Sequence, residues 1–355
     1  MPTQETRILD DIIASRRALL VGGGAALAAL ALPKPAAAAS TVTSYTDNDI
    51  LNFALNLEYL EANFYYLAAF GTTIDVASSS STAAGAAVQG IGTGTAMTTG
   101  GIVPTITGTA ASNKVPFTSV AIAAYAVETA IEEGKHVAFL RSALGSLAVA
   151  QPAINLTAAN FDGLAGLAGV SSALRPFSPY TTDYGFLIGA YIFEDVGVSA
   201  YHGAAPLITG KTTILPAAAG IMAVEAYHAG LVRTTINAVD VAATYAPTGT
   251  LVTVTNQIAA LRTSLAQKAP QSPANPEDPT VDDYGLATQM VTLTGSATTA
   301  TQIVDAPPAS ATAPATAFAR STTQVLNIVT AGGAVTAGAK ATGGFFPNGL
   351  NGLFT

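Results

Sequence analysis

Residues 214–233 read ILPAAAGIMAVEAYHAGLVR, a run that is nearly all small or apolar. Glu225 and His228 break the pattern, and at i and i+3 they point the same way on a helix. A buried, unpaired carboxylate is costly, so such a glutamate must be paired, protonated or bound to a cation. The doublet recurs at Glu133 and His136 within EEGKHVAFL, residues 132–140. Two Glu-x-x-His pairs on separate helices are the pattern of a dinuclear metal site inside a four-helix bundle, with one further glutamate from each of the other two helices.

The rest of the composition sharpens this. Only 10% of the 355 residues are charged and half are hydrophobic, so a charge inside an apolar segment is informative. The net charge of −8 and the lack of a basic cluster argue against nucleic acid or an anionic membrane surface as partner. With no cysteine, disulfides, thiolate zinc sites and cysteine nucleophiles are excluded, and any metal must be held by Glu, Asp and His. The chain has three histidines, and two of them stand in the doublets.

Residues 1–40 read as a twin-arginine-type export signal. Ser15-Arg16-Arg17-Ala18-Leu19-Leu20 precedes the apolar VGGGAALAALAL and the small-residue zone PKPAAAAS, with cleavage expected near Ala39-Ser40. The apolar run is short for a span of about 20 residues. The expected location is therefore periplasmic or extracellular, with no stable membrane span in the mature chain.

Residues 41–240 read as the bundle. A first helix opens at Tyr45-Thr46-Asp47-Asn48-Asp49, stops at Gly71 and carries Glu58 and Glu61. Residues 76–114 are rich in Ala, Ser, Thr and Gly without a period and read as a long irregular insertion. The second helix is expected over about 118–144, closed by Gly145, and the third over about 182–207, with Glu194-Asp195 in apolar surroundings. The fourth follows a turn at Gly210, with Thr213 as the expected cap and Pro216 in its first turn. Between the second and third, residues 150–179 form a crossover connection. Residues 241–355 read as an extension packed on the bundle: a helix at 255–268, a proline-rich linker at 269–279, a stretch with some β propensity at 281–314, and a last helix within 316–330.

LNFALNLEYLEANFYYLA at 51–68, EEGKHVAFL at 132–140, FEDVGVSAYHGAAP at 193–206, AVEAYHAGLVR at 223–233 and the tail GGFFPNGLNG at 343–352 resemble the ferritin-like superfamily. More narrowly, they resemble bacterial ferritin-like domain proteins related to plant desiccation-related proteins. The resemblance implies an all-α, ferritin-like four-helix bundle with a long insertion and a C-terminal wrap. It also implies a site of two iron or two manganese ions held by Glu58, Glu133, His136, Glu194, Glu225 and His228, with Glu133 and Glu225 as bridges. In that superfamily the first-helix ligand is commonly followed by Tyr at i+7, a spacing that Glu58 and Tyr65 meet and Glu61 does not. Glu61, Tyr65 and His202 are then supporting residues or alternative ligands. Glu128 and Glu132 are expected at the surface, and Asp195 is expected to cap or pair. Ferroxidase, peroxidase and catalase-like chemistry all suit this ligand set; the alternative is a metal-free, non-catalytic stress or desiccation-related envelope protein. The expected partners are metal ions and oxygen or peroxide, with a homo-oligomer left open.

Overall fold

The first helix begins where its cap chemistry is complete. Thr46 accepts from Asp49 N (3.3 Å) and the Asp49 carboxylate accepts from Thr46 N (2.9 Å), a capping box that opens α1, Asp47–Phe70. It ends at Gly71, whose φ of 76° is left-handed and whose N–H donates to Leu67 O. Nearly every residue from Ile50 to Ala69 is buried, so α1 is the central helix rather than an amphipathic surface one.

The computed structural model describes residues 45–71, 73–74, 114–269, 283–293, 296–305, 316–333 and 340–353. The stretch read as an export signal, the expected insertion up to residue 113, most of the proline-rich linker and part of 281–314 lie outside the described residues. After α1 come α2 (Val120–Leu144, capped by Ser119), α3 (Ala158–Leu167), α4 (Asp183–Ala204, capped by Thr182) and α5 (Leu215–Val241). The extension adds α6 (Thr250–Ala266), an antiparallel hairpin of β1 (Ala287–Leu293) and β2 (Ser296–Gln302), and α7 (Thr322–Val329).

The bundle is two helix pairs, α1 along α2 and α4 along α5, brought together across α1 and α4. Within the crossover, α3 closes an aromatic cluster centred on Phe64, whose ring stands 5.1 Å from Phe193 and 6.0 Å from Phe161. Phe345 of the tail joins it, 4.9 Å from Phe193, so the GGFF segment is core. α5 is the one described helix long and apolar enough to cross a membrane, yet its inward face carries buried Glu225, His228, Arg233 and Asp240.

Two local expectations fail. Thr213 does not cap α5: its N-cap is Ile214, with no side-chain bond. The turn before it is held instead by Asp47, which accepts from Thr209 N (2.7 Å) and Gly210 N (2.8 Å). The helix expected at 255–268 starts earlier, at Thr250, because the Asp240 carboxylate accepts from Gly249 N and Leu251 N (both 2.7 Å) and so caps it from a distance.

A buried ionic network fixes the extension to the bundle. Asp195 on α4 accepts from Arg233 on α5 (2.9 Å) and from Arg262 on α6 (3.0 Å). Arg262 and Arg320 both reach Asp283 (2.6 and 2.8 Å). Arg320 N also donates to Ser199 O at 2.9 Å, an approach that needs Gly203 on α4: a Cβ there would stand 1.8 Å from Arg320 O.

Candidate metal centre

α1, α2, α4 and α5 each turn ionisable side chains into the middle of the bundle. Glu58, Glu133, Glu194 and Glu225 are all buried, as are His136 and His228. They form two groups that share one residue: Glu58, Glu133, His136 and Glu225 in the first, Glu133, Glu194 and His228 in the second. In the first, His136 Nδ1 lies 3.3 Å from Glu58 Oε2, 3.4 Å from Glu133 Oε2 and 3.4 Å from Glu225 Oε1. In the second, His228 Nδ1 lies 3.0 Å from Glu133 Oε1 and 3.5 Å from Glu194 Oε2. Glu133 therefore divides its two oxygens between the groups, and the two imidazole rings stand 6.5 Å apart. Glu225 Oε2 points at Gly197 on α4, where a Cβ would lie 2.3 Å away.

Two tyrosines hold the outer carboxylates crosswise. Tyr65 on α1 donates to Glu194 on α4, and Tyr201 on α4 donates to Glu58 on α1. Each tyrosine stands seven residues after the glutamate of its own helix, about 20° from it around the axis, and so faces the same interior.

Electrostatics without a cation are strained. Burial pushes Glu58 up to about 7, against the pull of His136. Burial also raises Glu194, and burial with the nearby Glu133 charge raises Glu225 well above the carboxylate range. Glu133 alone is held low: burial works against it, but the imidazoles of His136 and His228 prevail. Both histidines are pushed up, because the carboxylates around them outweigh their burial. Glu58 Oε2, both oxygens of Glu133 and of Glu225, Glu194 Oε2 and the Nδ1 atoms of His136 and His228 are buried without a hydrogen-bond partner. A cation fits that set. The donors are carboxylate oxygen and imidazole nitrogen, which suit iron and manganese, and the four carboxylates carry the charge that two divalent ions neutralise.

Of the supporting residues, Tyr65 bonds a site carboxylate. Glu61 is buried one turn after Glu58 but belongs to neither group; burial, then the Glu225 charge, raises it well above its usual range. His202 is not at the site. Its Nδ1 bonds the carbonyls of Ala317 (2.9 Å) and Phe318 (3.2 Å) and helps hold the extension. Asp195 pairs, as expected. Glu128 is exposed, but Glu132 is not a free surface charge: its Oε2 lies 2.7 Å from His228 Nε2. A third acidic group, Asp195, Asp283 and Asp305, is of another kind, since arginines already occupy Asp195 and Asp283.

The chain is 30% identical over 225 residues to the desiccation-related protein PCC13-62 of Craterostigma plantagineum, an alignment covering 63% of each chain. It is 28% identical over 187 residues to the ferritin-like catalase Nec2 of Nesocodon mauritianus, covering 53% of this chain and 52% of that one. It thus spans less than two thirds of either relative. No solved structure matches it. Residues 46–238, which contain all four bundle helices up to the last turn of α5, match the ferritin-like domain family, and the chain belongs to that family.

Proposed function

We propose that Glu58, Glu133, His136, Glu194, Glu225 and His228 hold two iron or two manganese ions, and that the protein is an oxidoreductase acting on peroxide or oxygen. The carrying observation is the set of eight buried donor atoms that face one another with no hydrogen-bond partner from outside the set. Leaving such atoms unsatisfied costs about 1–3 kcal/mol each, so a fold that keeps them has a use for them. Bound ions would supply electron exchange with the oxidant. The chain's own residues do the rest. Tyr65 and Tyr201 fix the outer carboxylates, Glu132 orients His228, and the buried aromatic and aliphatic shell keeps bulk water out. Similarity to a protein named a ferritin-like catalase favours peroxide as the first substrate to test. The arginine pair and the small-residue zone near the start of the sequence support an exported protein.

The test is elemental analysis of natively loaded protein, with oxygen evolution from hydrogen peroxide measured alongside. Two ions per chain, and turnover that Glu133→Ala abolishes, would support the proposal. Metal-free protein with no turnover would favour a second reading, for which the desiccation-related relative speaks: a non-catalytic protein of stress protection.

A further inference from the structure

The two ends of the centre differ. Tyr65 and Tyr201 are counterparts, each standing seven residues after one outer glutamate and bonded to the other. Beyond Tyr65 the bundle is plugged by rings: those of Phe64 and Phe186 stand 5.0 and 5.9 Å from it, and that of Phe117 stands 5.2 Å from Phe186. Beyond Tyr201 it is open. A pocket of about 60 Å³, room for a few waters, lies between α2 and α5 at the end of the bundle where α4 turns into α5. Its rim is formed by Phe139 and Ala143 on α2, Thr213 of the turn and Ala217 on α5. Phe139 is 45% exposed, and Ala143 and Thr213 are exposed as well. Its floor is Leu140, Tyr201 and Ile221, all buried.

That floor is one layer of side chains away from the donors. Leu140 stands four residues after His136 and Ile221 four before Glu225, each about one helical turn, roughly 5.4 Å, from a site residue. Tyr201 lines the pocket and gives its hydroxyl to Glu58. His136, one turn before Phe139 on the same face of α2, keeps 10% of its side chain exposed, so the centre is not sealed on this side. Resting on the peroxide or oxygen chemistry proposed above, we infer that this pocket is the way in for the oxidant, and that Phe139 sets the size of molecule admitted. The lining residues carry no charge, so an ion would shed its water against an apolar wall, whereas neutral hydrogen peroxide or dioxygen loses far less. The space takes hydrogen peroxide; cumene hydroperoxide, with its ring and branched carbon, is too large until Phe139 is cut back. The substrate is thus a small uncharged oxidant rather than an organic hydroperoxide.

Steady-state kinetics of manganese-loaded protein test this, with xenon-pressurised crystals of chelated protein as a readout that needs no metal. Wild type should turn over hydrogen peroxide with a far higher kcat/KM than cumene hydroperoxide, and xenon should sit against Leu140, Tyr201 and Ile221. Ala143→Trp plugs the rim from its exposed side. The kcat/KM for hydrogen peroxide should then fall by about tenfold or more while kcat and metal stoichiometry hold, and the xenon should be lost. Phe139→Ala should raise kcat/KM for cumene hydroperoxide by about tenfold or more and leave that for hydrogen peroxide nearly unchanged. Ala124→Trp, exposed near the other end of α2, should change neither substrate's kinetics. Three results overturn the route while the dinuclear reading stands: wild-type kcat/KM for peroxide in loaded Ala143→Trp, no gain on cumene hydroperoxide in Phe139→Ala, or a wild-type pocket without xenon. Phe139→Ala decides alone if Ala143→Trp loses its metal. If wild type loaded with manganese turns over neither peroxide, the oxidoreductase reading falls and the route falls with it.

Discussion

Glu225→Gln separates the stability of the bundle from that of its metal. Glu225 is fully buried, and burial together with the Glu133 charge pushes its carboxyl well above the usual range, so removing metal favours its neutral form. Glutamine is then close to an uncharged copy of the native side chain, and the chelated variant should lose less than about 1.5 kcal/mol, as for a volume-conserving core exchange. With metal the two diverge. An ion present at about 100 times its dissociation constant stabilises the fold by roughly 2.7 kcal/mol. Losing one charged ligand that weakens binding by about 100-fold removes nearly all of that, since each factor of ten is about 1.4 kcal/mol. In a domain of this size 1 kcal/mol moves the midpoint by about 2–4 °C, so the gap in manganese or iron should be roughly 5–10 °C and should close in chelator. Circular dichroism melts of both proteins under both conditions measure it. Equal wild-type midpoints in metal and in chelator would refute the link between metal and fold. A large gap that persists in chelator would refute the claim that removing metal favours neutral Glu225.

Two further outcomes follow from the same groups. In chelated protein Glu58 moves from a reference of 4.5 to about 7, and Glu194 and Glu225 also move up, so the folded state holds protons that the unfolded state releases. Stability should therefore fall as pH rises from about 4.5 through about 7; the raised histidines continue the fall above their usual 6.5, and the lowered Glu133 acts only below 4.5. Metal should offset the fall, because its ligands bind deprotonated; urea melts of chelated protein that show rising stability between about pH 5 and 8 would contradict this. Asp195→Ala leaves Arg233 and Arg262 buried without their shared partner and should cost about 3–5 kcal/mol in denaturant melts; a loss below about 1 kcal/mol would be the wrong result.

What was legible in the sequence was local or anomalous. Thr46 with Asp49 and Gly71 mark the ends of α1 because capping depends on residues three or four apart. Glu133, His136, Glu194, Glu225 and His228 stand out because a chain with so few charges seldom places one in an apolar run, whereas Glu58 was set apart from Glu61 only by the tyrosine seven residues on that the family resemblance implies. What failed depended on a partner far along the chain. Glu132 looks like the solvated neighbour of Glu133, and only the position of α5, 96 residues on, brings His228 to it. His202, eight residues after Glu194, lies about 80° round the helix from it, enough to face the extension, whereas Tyr201 at seven residues does not. A stricter reading of the helical angle would have separated the two. Arg233 and Arg320 carried a similar signal, a cation within or beside an apolar segment, but nothing nearby in sequence named their partners.

The placement of the ionic network bears on how the centre is held. A cluster of unpaired donors destabilises the fold around it, so its geometry must be imposed by contacts outside it. On the α4–α5 side those contacts come from the extension. Asp195 directly follows Glu194, Arg233 lies five residues after His228, and both are pinned through Arg262 and Asp283 by segments beyond residue 241. On the α1–α2 side Tyr59, next to Glu58, accepts from Arg141 of α2, and Asn56 donates to Asn351 O of the tail (2.8 Å). Each outer glutamate thus sits beside a residue anchored elsewhere, Glu58 by Tyr59 and Glu194 by Asp195. The extension follows α5 in sequence but supports α1 and α4 in space, which makes it part of the apparatus that keeps four mutually repelling carboxylates within reach of the same ions.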